Sequence, residues 1–206
     1  MSEYGYIPNG AVEQTYRSNK GLLTPTDIYN LTRDDKMSTL GDLELIETQN
    51  ITGTPSLLDF DNLQTNKYDV HFITISNYKP QTDNRHLAMR FKVNGTTTTS
   101  TQYEYAMVRD NTGASSPKSA GDSKIWLAYD IGLNREGLNG HIYIFDAGDS
   151  AKMTFVTSQF VHLGVGIDSN FQSSMNDETQ AIDGISFATS GGNHEHGEFS
   201  LYGIRR

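Results

Sequence analysis

The chain has 206 residues, a net charge of −9 and no cysteine. A chain of this length suits one large domain that buries about 70% of its extended surface, and the lack of cysteine excludes disulfides and thiolate metal sites. Lys and Arg number 16 against 25 Asp and Glu. This balance disfavours a nucleic-acid partner, because phosphate backbones bind clustered cations.

The first 37 residues are predicted to form an N-terminal arm and one short helix. Residues 1–20 place Tyr4, Tyr6 and Tyr16 among Gly, Asn and Ser with no period, so we expect an extended arm that orders only against a neighbouring surface. Its tyrosines are the candidate assembly contacts; a floppy tail is the alternative. The segment lacks the features of a secretion signal, and no run approaches the ~20 apolar residues of a membrane span. We therefore expect synthesis in the cytoplasm and no membrane partner.

The helix is predicted by a capping pattern. Thr24 supplies the capping hydroxyl, Pro25 suits the first helical position, and Asp27 is placed to reach back to the cap. A helix of about two turns, Pro25 to Leu31, should follow.

Residues 38–206 are predicted to form an all-β domain. Short β-rich runs alternate with Gly, Asn, Asp and Thr. The clearest run has Leu87, Met89, Phe91 and Val93 on one face and Ala88, Arg90 and Lys92 on the other, which predicts a half-buried strand. The predicted strands are Leu43 to Thr48, Leu57 to Leu63, Tyr68 to Ser76, His86 to Val93, Gln102 to Arg109, Lys124 to Tyr129, His141 to Phe145, Met153 to Phe160, Ile182 to Ala188 and Gly197 to Ile204.

Eight to ten strands without a long helix predict an antiparallel β-sandwich of jelly-roll type. Two segments are expected to be long surface connections that carry contacts, Asp110 to Asp122 and Gly164 to Glu178, and Asn94 to Thr101 is expected to be a loop or a hairpin tip. The last predicted strand carries Phe199, Leu201 and Ile204, so it should be a core strand that closes the sheet.

Metal and cofactor motifs are weak. His194, His196 and Glu198 would share one side of an extended strand, but they lie at a glycine turn, so a solvated turn is favoured over a metal site. Acidic fragments near Asp59, Asp146 and Asp168 lack the complete calcium-loop pattern. No catalytic residue, metal or cofactor is therefore predicted, and an enzyme is the least favoured class.

Several segments resemble structural virion proteins of tailed bacteriophages, particularly marine and cyanobacterial phages. They are Gly21 to Thr32, Tyr68 to Phe72, Leu127 to Tyr129 and Ala181 to Ile204. The resemblance implies an exposed, homo-oligomeric part of the virion, such as a capsid decoration protein, head fibre or tail-fibre component. Its partners would be copies of itself and other virion proteins. The resemblance transfers no catalytic residues.

The alternative is a carbohydrate-binding β-sandwich module that adheres to host-surface glycans. Trp126, Tyr103 or Tyr129 would then supply an aromatic platform for a sugar ring. A monomer that binds glycans would favour this module over a virion structural protein.

Overall fold

The computed structural model describes residues 24–34, 43–110, 115–133, 137–163 and 166–205. The chain divides into two units, residues 1–40 and 41–206. The predicted N-terminal arm, with Tyr4, Tyr6 and Tyr16, lies outside the described residues, and the domain boundary after residue 37 stays a prediction.

The short helix forms as predicted and is two residues longer. Helix α1 spans Pro25–Arg33. The Asp27 backbone N–H donates to the Thr24 hydroxyl oxygen at 3.2 Å, and the Thr24 backbone N–H donates to the Asp27 carboxylate at 2.9 Å. These reciprocal bonds satisfy backbone donors that have no partner within the helix. No helix in the described part of the chain has the length and apolar character needed to cross a membrane.

The second unit is built from antiparallel strands. They are β1 (Leu43–Asn50), β2 (Leu57–Phe60), β3 (Tyr68–Pro80), β4 (Arg85–Val93), β5 (Thr96–Thr97), β6 (Tyr103–Asp110), β7 (Lys118–Asp122), β8 (Ile125–Ile131), β9 (Leu138–Phe145), β10 (Thr154–Leu163), β11 (Ile167–Asn176), β12 (Gly184–Thr189) and β13 (His194–Arg205).

These strands form two sheets. The larger sheet has the order β1-β13-β3-β9-β10-β11-β6-β7, and the smaller has the order β2-β12-β4-β5, with β8 also paired to β4. The predicted all-β antiparallel sandwich with one short helix is confirmed.

Aromatic side chains join the two sheets. Phe199 on β13 lies with its ring centroid 5.0 Å from that of Phe187 on β12 and 5.6 Å from that of Tyr78 on β3. All three side chains are fully buried. The predicted role of β13 as a core strand is confirmed for Phe199 and Leu201, whereas Ile204 is only partly buried, because its strand position has the opposite parity. Strand β13 pairs with β1 on one side and β3 on the other.

All three of the predicted loop segments contain strand residues, and for two of them the loop prediction is wrong in part. Residues 167–176 form β11, and residues 118–122 form the short edge strand β7. The inward positions of β11 are polar, from Asp168 to Asn176, so the strand lacks the apolar alternation that identifies a half-buried strand. Residues 94–101 form a hairpin tip around the two-residue β5.

Truncation of Phe199 tests the core that joins the sheets. Phe199→Ala should lower the free energy of unfolding by about 3–5 kcal/mol, because it leaves a cavity between Phe187 and Tyr78. Denaturant titration gives the value. Leu57→Ala is the control, since Leu57 is 45% exposed and should change stability by under about 0.5 kcal/mol. Equal effects of the two substitutions would contradict this description of the core.

Candidate functional site

The solvent side of the larger sheet, called the outer face below, is the candidate functional site. Along β10, residues 154, 156, 158 and 160 are buried, whereas residues 155, 157 and 159 are exposed. The same alternation runs along β11. Because successive side chains of a strand point to opposite faces, the second set lies on the outer face.

The centre of the outer face carries no formal charge. Asp, Glu, Lys and Arg are absent from residues 70–76 of β3 and from the whole of β9 and β10, and Asp168, the single acidic residue of β11, is buried on the inner side. These four strands are neighbours in the sheet. An uncharged surface on a chain of net charge −9 marks the outer face as distinct from the rest of the protein.

Large apolar side chains project from this face. Phe155, Phe171 and Val108 are 51%, 55% and 59% exposed, respectively. Beside them lies a group of partly buried rings, in which Phe72 is 4.7 Å from Tyr143 and 6.1 Å from Tyr202, measured between ring centroids. Several exposed large apolar side chains on one face of a sheet indicate an interaction site.

Small side chains form a trough across the strands. Thr157 on β10 pairs with Ser173 on β11, and Ser173 pairs with Ala106 on β6. Tyr143 on β9 and Lys118 on β7 continue this row at its two ends. The row therefore crosses five strands, and its three central residues have short side chains.

Large side chains form the two walls of the trough. One wall lies two residues along the strands from Thr157 and Ser173, where Phe155 on β10 pairs with Met175 on β11. The other wall lies two residues from the trough in the opposite direction. There Gln159 on β10 pairs with Phe171 on β11, and Phe171 pairs with Val108 on β6. The two rows stand about 7 Å on either side of the trough, since a strand rises about 3.4 Å per residue.

The trough encloses two adjoining recesses. One recess, of about 580 Å³, is lined by Phe155, Met175 and Ala120 among others. The other, of about 470 Å³, is lined by Phe171, Val108 and Tyr143 among others. Ala106 and Ser173 line both, so the recesses are parts of one concave surface.

The three aromatic residues predicted as a glycan platform do not form one surface. Tyr103 is fully buried, and its hydroxyl accepts a hydrogen bond from the Phe91 backbone N–H at 2.9 Å, so its prediction as a platform is wrong. Trp126 and Tyr129 do come together, with ring centroids 6.1 Å apart.

Both of these rings already have neighbours. The Lys124 ammonium lies 4.6 Å from the Trp126 ring centroid, and the Arg109 guanidinium lies 5.8 Å from that of Tyr129. The hydroxyl oxygens of Tyr129 and Tyr105 are 3.1 Å apart. A sugar ring could therefore stack on this pair only from the sides that these groups leave open.

The histidine pair near the C-terminus is divided between core and solvent. His194 is fully buried, its Nδ1 lies 3.1 Å from the Tyr78 hydroxyl, and its Nε2 lies 3.2 Å from the Phe187 carbonyl oxygen. The prediction of a solvated turn is therefore wrong for His194. His196 is exposed, and register shifts between 194 and 198 separate the two imidazoles.

Lysines already engage two of the acidic fragments considered for calcium. Lys92 Nζ lies 3.0 Å from the Asp59 carboxylate and also contacts Asp61. Lys152 Nζ lies 3.1 Å from Asp146 and 3.3 Å from Asp149. No group of three or more His, Asp or Glu residues in the described ranges is placed to hold a metal ion.

A partly buried ionic cluster links β6, β8, β10 and β11. Arg109 donates from Nε to Asp168 at 2.7 Å and from Nη1 to Asp130 at 2.8 Å. His162 is buried with its Nε2 3.8 Å from Asp168, too far for a hydrogen bond. Neither ring nitrogen of His162 has a hydrogen-bond partner among the described residues. The cluster acts as a structural clamp between the strands.

Burial holds three histidines in the neutral form. Removal from water lowers the pKa of His162 from its ordinary value of 6.5, and the attraction of Asp168 opposes that shift only in part. Burial also lowers the pKa of His71 and of His194. Protonation of any of these imidazoles in the folded protein would place a positive charge in the core.

No family model and no curated protein sequence matches the chain. Among solved structures, the CBM2 module of the evolved Dit of Lactobacillus casei BL23 phage J-1 is similar at 13% identity, covering 76% of each chain with a TM-score of 0.25. A similarity with so low a TM-score supports neither a fold nor a function.

Acid should destabilise the protein through these histidines. Below pH 6.5 the unfolded chain binds protons that the folded His162 does not, so the free energy of unfolding falls as the pH is lowered. His162→Leu should reduce the slope by up to about 1.4 kcal/mol per pH unit, as measured by denaturant titration between about pH 7 and 5.

His196→Gln is the matched control, because this side chain is exposed. An unchanged slope in His162→Leu, or an equal reduction in both variants, would contradict the assignment of the titrating group to the core.

Proposed function

We propose that the protein is a non-catalytic structural component of a bacteriophage particle, attached through the outer face of its larger sheet. The observation that carries the proposal is the outer face, whose centre carries no formal charge and on which Phe155 and Phe171 are more than half exposed. Such a face loses unfavourable contact with water when another protein covers it.

The sequences of the central strands support this use. Residues 141–145 of β9, His-Ile-Tyr-Ile-Phe, are apolar or aromatic at nearly every position, and residues 70–75 of β3 follow a similar pattern. Strands that are buried on both faces have this composition, whereas a strand with one wet face alternates apolar and polar residues. The smaller sheet covers the inner side of these strands, so the outer side is suited to a partner.

The chemistry of the outer face favours a protein partner. Its projecting groups are mainly Phe, Val and Met, which fit the desolvated centre of a protein–protein interface. The resemblance of the sequence to virion structural proteins supplies the setting, an exposed head or tail component. The ion pair between Arg109 and Asp168, whose side chains are 12% and 4% exposed, lies on the inner side of the sheet.

A host-surface glycan is the second candidate partner. The observation that favours it is the proximity of Trp126 and Tyr129, which lie beside the imidazole of His86 and the carboxylate of Asp130. Aromatic rings with a few polar groups nearby are typical of small-ligand sites. This site lies apart from the trough, so variants can separate the two functions.

The test uses purified phage particles from the genome that encodes the chain. Mass spectrometry should detect the protein in them, and Phe155→Asp/Phe171→Asp should reduce its amount at least about tenfold, because buried carboxylates would replace apolar contacts. Leu57→Asp, at an exposed leucine outside the outer face, is the matched control and should leave the amount unchanged.

Absence of the wild-type protein from particles would overturn the proposal, as would equal losses in the two variants. Retention of the purified protein on host-surface glycans, abolished by Trp126→Ala and not by Phe155→Asp/Phe171→Asp, would favour the glycan-binding function instead.

A further inference from the structure

We infer that the outer face binds the outer face of a second copy of this chain, in a twofold-symmetric pair of sandwiches. The inference rests on the proposed function, since it names the partner of the same surface. Three properties of the outer face support self-pairing: its charge, its shape and its area.

Charge restricts which surfaces of two copies can meet. Each copy carries a net charge of −9, so most pairs of facing surfaces would bring like charges together. Such juxtapositions oppose association. Residues 70–76 of β3 and all of β9, β10 and β11 carry no Asp, Glu, Lys or Arg on their outward side, whereas Glu104 on β6 continues the row of Met175 and Lys118 on β7 continues the row of Ala106. In the twofold arrangement described below, Glu104 of each copy would lie over Ala106 of the other and therefore beside its Lys118, so that these charges would be paired.

The shape of the outer face is self-complementary. The wall that contains Phe155 and Met175, called the ridge below, runs beside the trough that contains Thr157 and Ser173. Ridge and trough are parallel and about 7 Å apart along the strands. A twofold axis that lies midway between them, parallel to both, places the ridge of each copy in the trough of the other. Each residue of the ridge then faces a small residue of the same strand in the second copy, Phe155 over Thr157 and Met175 over Ser173.

This arrangement is an isologous interface, in which each copy contributes the same patch. Two sheets that face one another in this way pack with a spacing of about 10 Å, as in the interior of a sandwich. The strands of the two copies would then continue the layered packing that the smaller sheet begins on the inner side.

The area suffices for a stable pair. Six strands, from β13 through β6, span about 29 Å at a spacing of about 4.8 Å, and seven residues along each strand span about 24 Å. The resulting footprint of roughly 700 Å² per copy is close to the ~800 Å² per partner of a standard specific interface.

Sedimentation of the purified full-length chain tests the inference. The wild type should be a dimer, and Phe155→Asp/Phe171→Asp should raise the Kd of dimerisation at least about 30-fold, because each substitution occurs twice in a symmetric interface. Leu57→Asp should remain dimeric, since Leu57 lies on the smaller sheet. Circular dichroism checks that every variant is folded.

A second variant separates self-complementary packing from general apolar association. Ser173→Phe fills the trough while it adds apolar area. If the ridge of one copy enters the trough of the other, this substitution should also raise the Kd at least about tenfold, because the ridge is displaced. If the face associates without a defined fit, the added ring should leave the Kd unchanged or lower it, and the inferred arrangement is wrong.

The remaining outcomes are equally decisive. A monomeric wild type, or a dimer that Leu57→Asp dissociates as readily as Phe155→Asp/Phe171→Asp, would overturn self-pairing. A monomeric wild type whose Phe155→Asp/Phe171→Asp variant still fails to enter particles would overturn self-pairing and leave the proposed function standing, with a different virion protein as the partner.

Discussion

The contact between Phe199 and Phe187 is the interaction on which the rest of the structure depends. It joins the larger sheet to the smaller one through rings whose centroids are 5.0 Å apart. Because side chains alternate along a strand, burial of Phe199 also fixes which side of the larger sheet faces outward. A shift of one residue in the register of β13 would exchange its inward-facing and outward-facing side chains. The packing of the core therefore also determines which side chains form the outer face.

This packing leaves an apolar surface that the two sheets do not cover. The larger sheet has eight strands, and the smaller sheet packs against its inner side alone. Polar residues normally occupy the second face of an antiparallel sheet, but the outer face carries Phe155, Phe171 and Val108. The same alternation that stabilises the sandwich thus presents a surface suited to assembly, which connects the core to the proposed function.

The sequence predicted the fold where apolar alternation is strong and failed where other forces place the strand. Leu87, Met89 and Phe91 identified β4 and are buried together. Strand β11 was missed because its inward side is polar and is held by hydrogen bonds and ion pairs such as Arg109 to Asp168. The outer face was missed as well. The sequence of β9 did indicate such a face, because apolar residues occur on both sides of this strand. Which of the two sides the smaller sheet leaves uncovered depends on tertiary packing and could not be predicted.

The accessibility of the trough tests the central claim, that the outer face is the contact surface. The chain has no cysteine, so Thr157→Cys and Leu57→Cys each provide a single thiol. Maleimide labelling of both can be compared between dilute protein and the assembled state. The account predicts that assembly slows labelling at position 157 at least about tenfold and leaves position 57 unchanged, because a buried thiol reacts only when the interface opens. Equal labelling of position 157 in both states would contradict it.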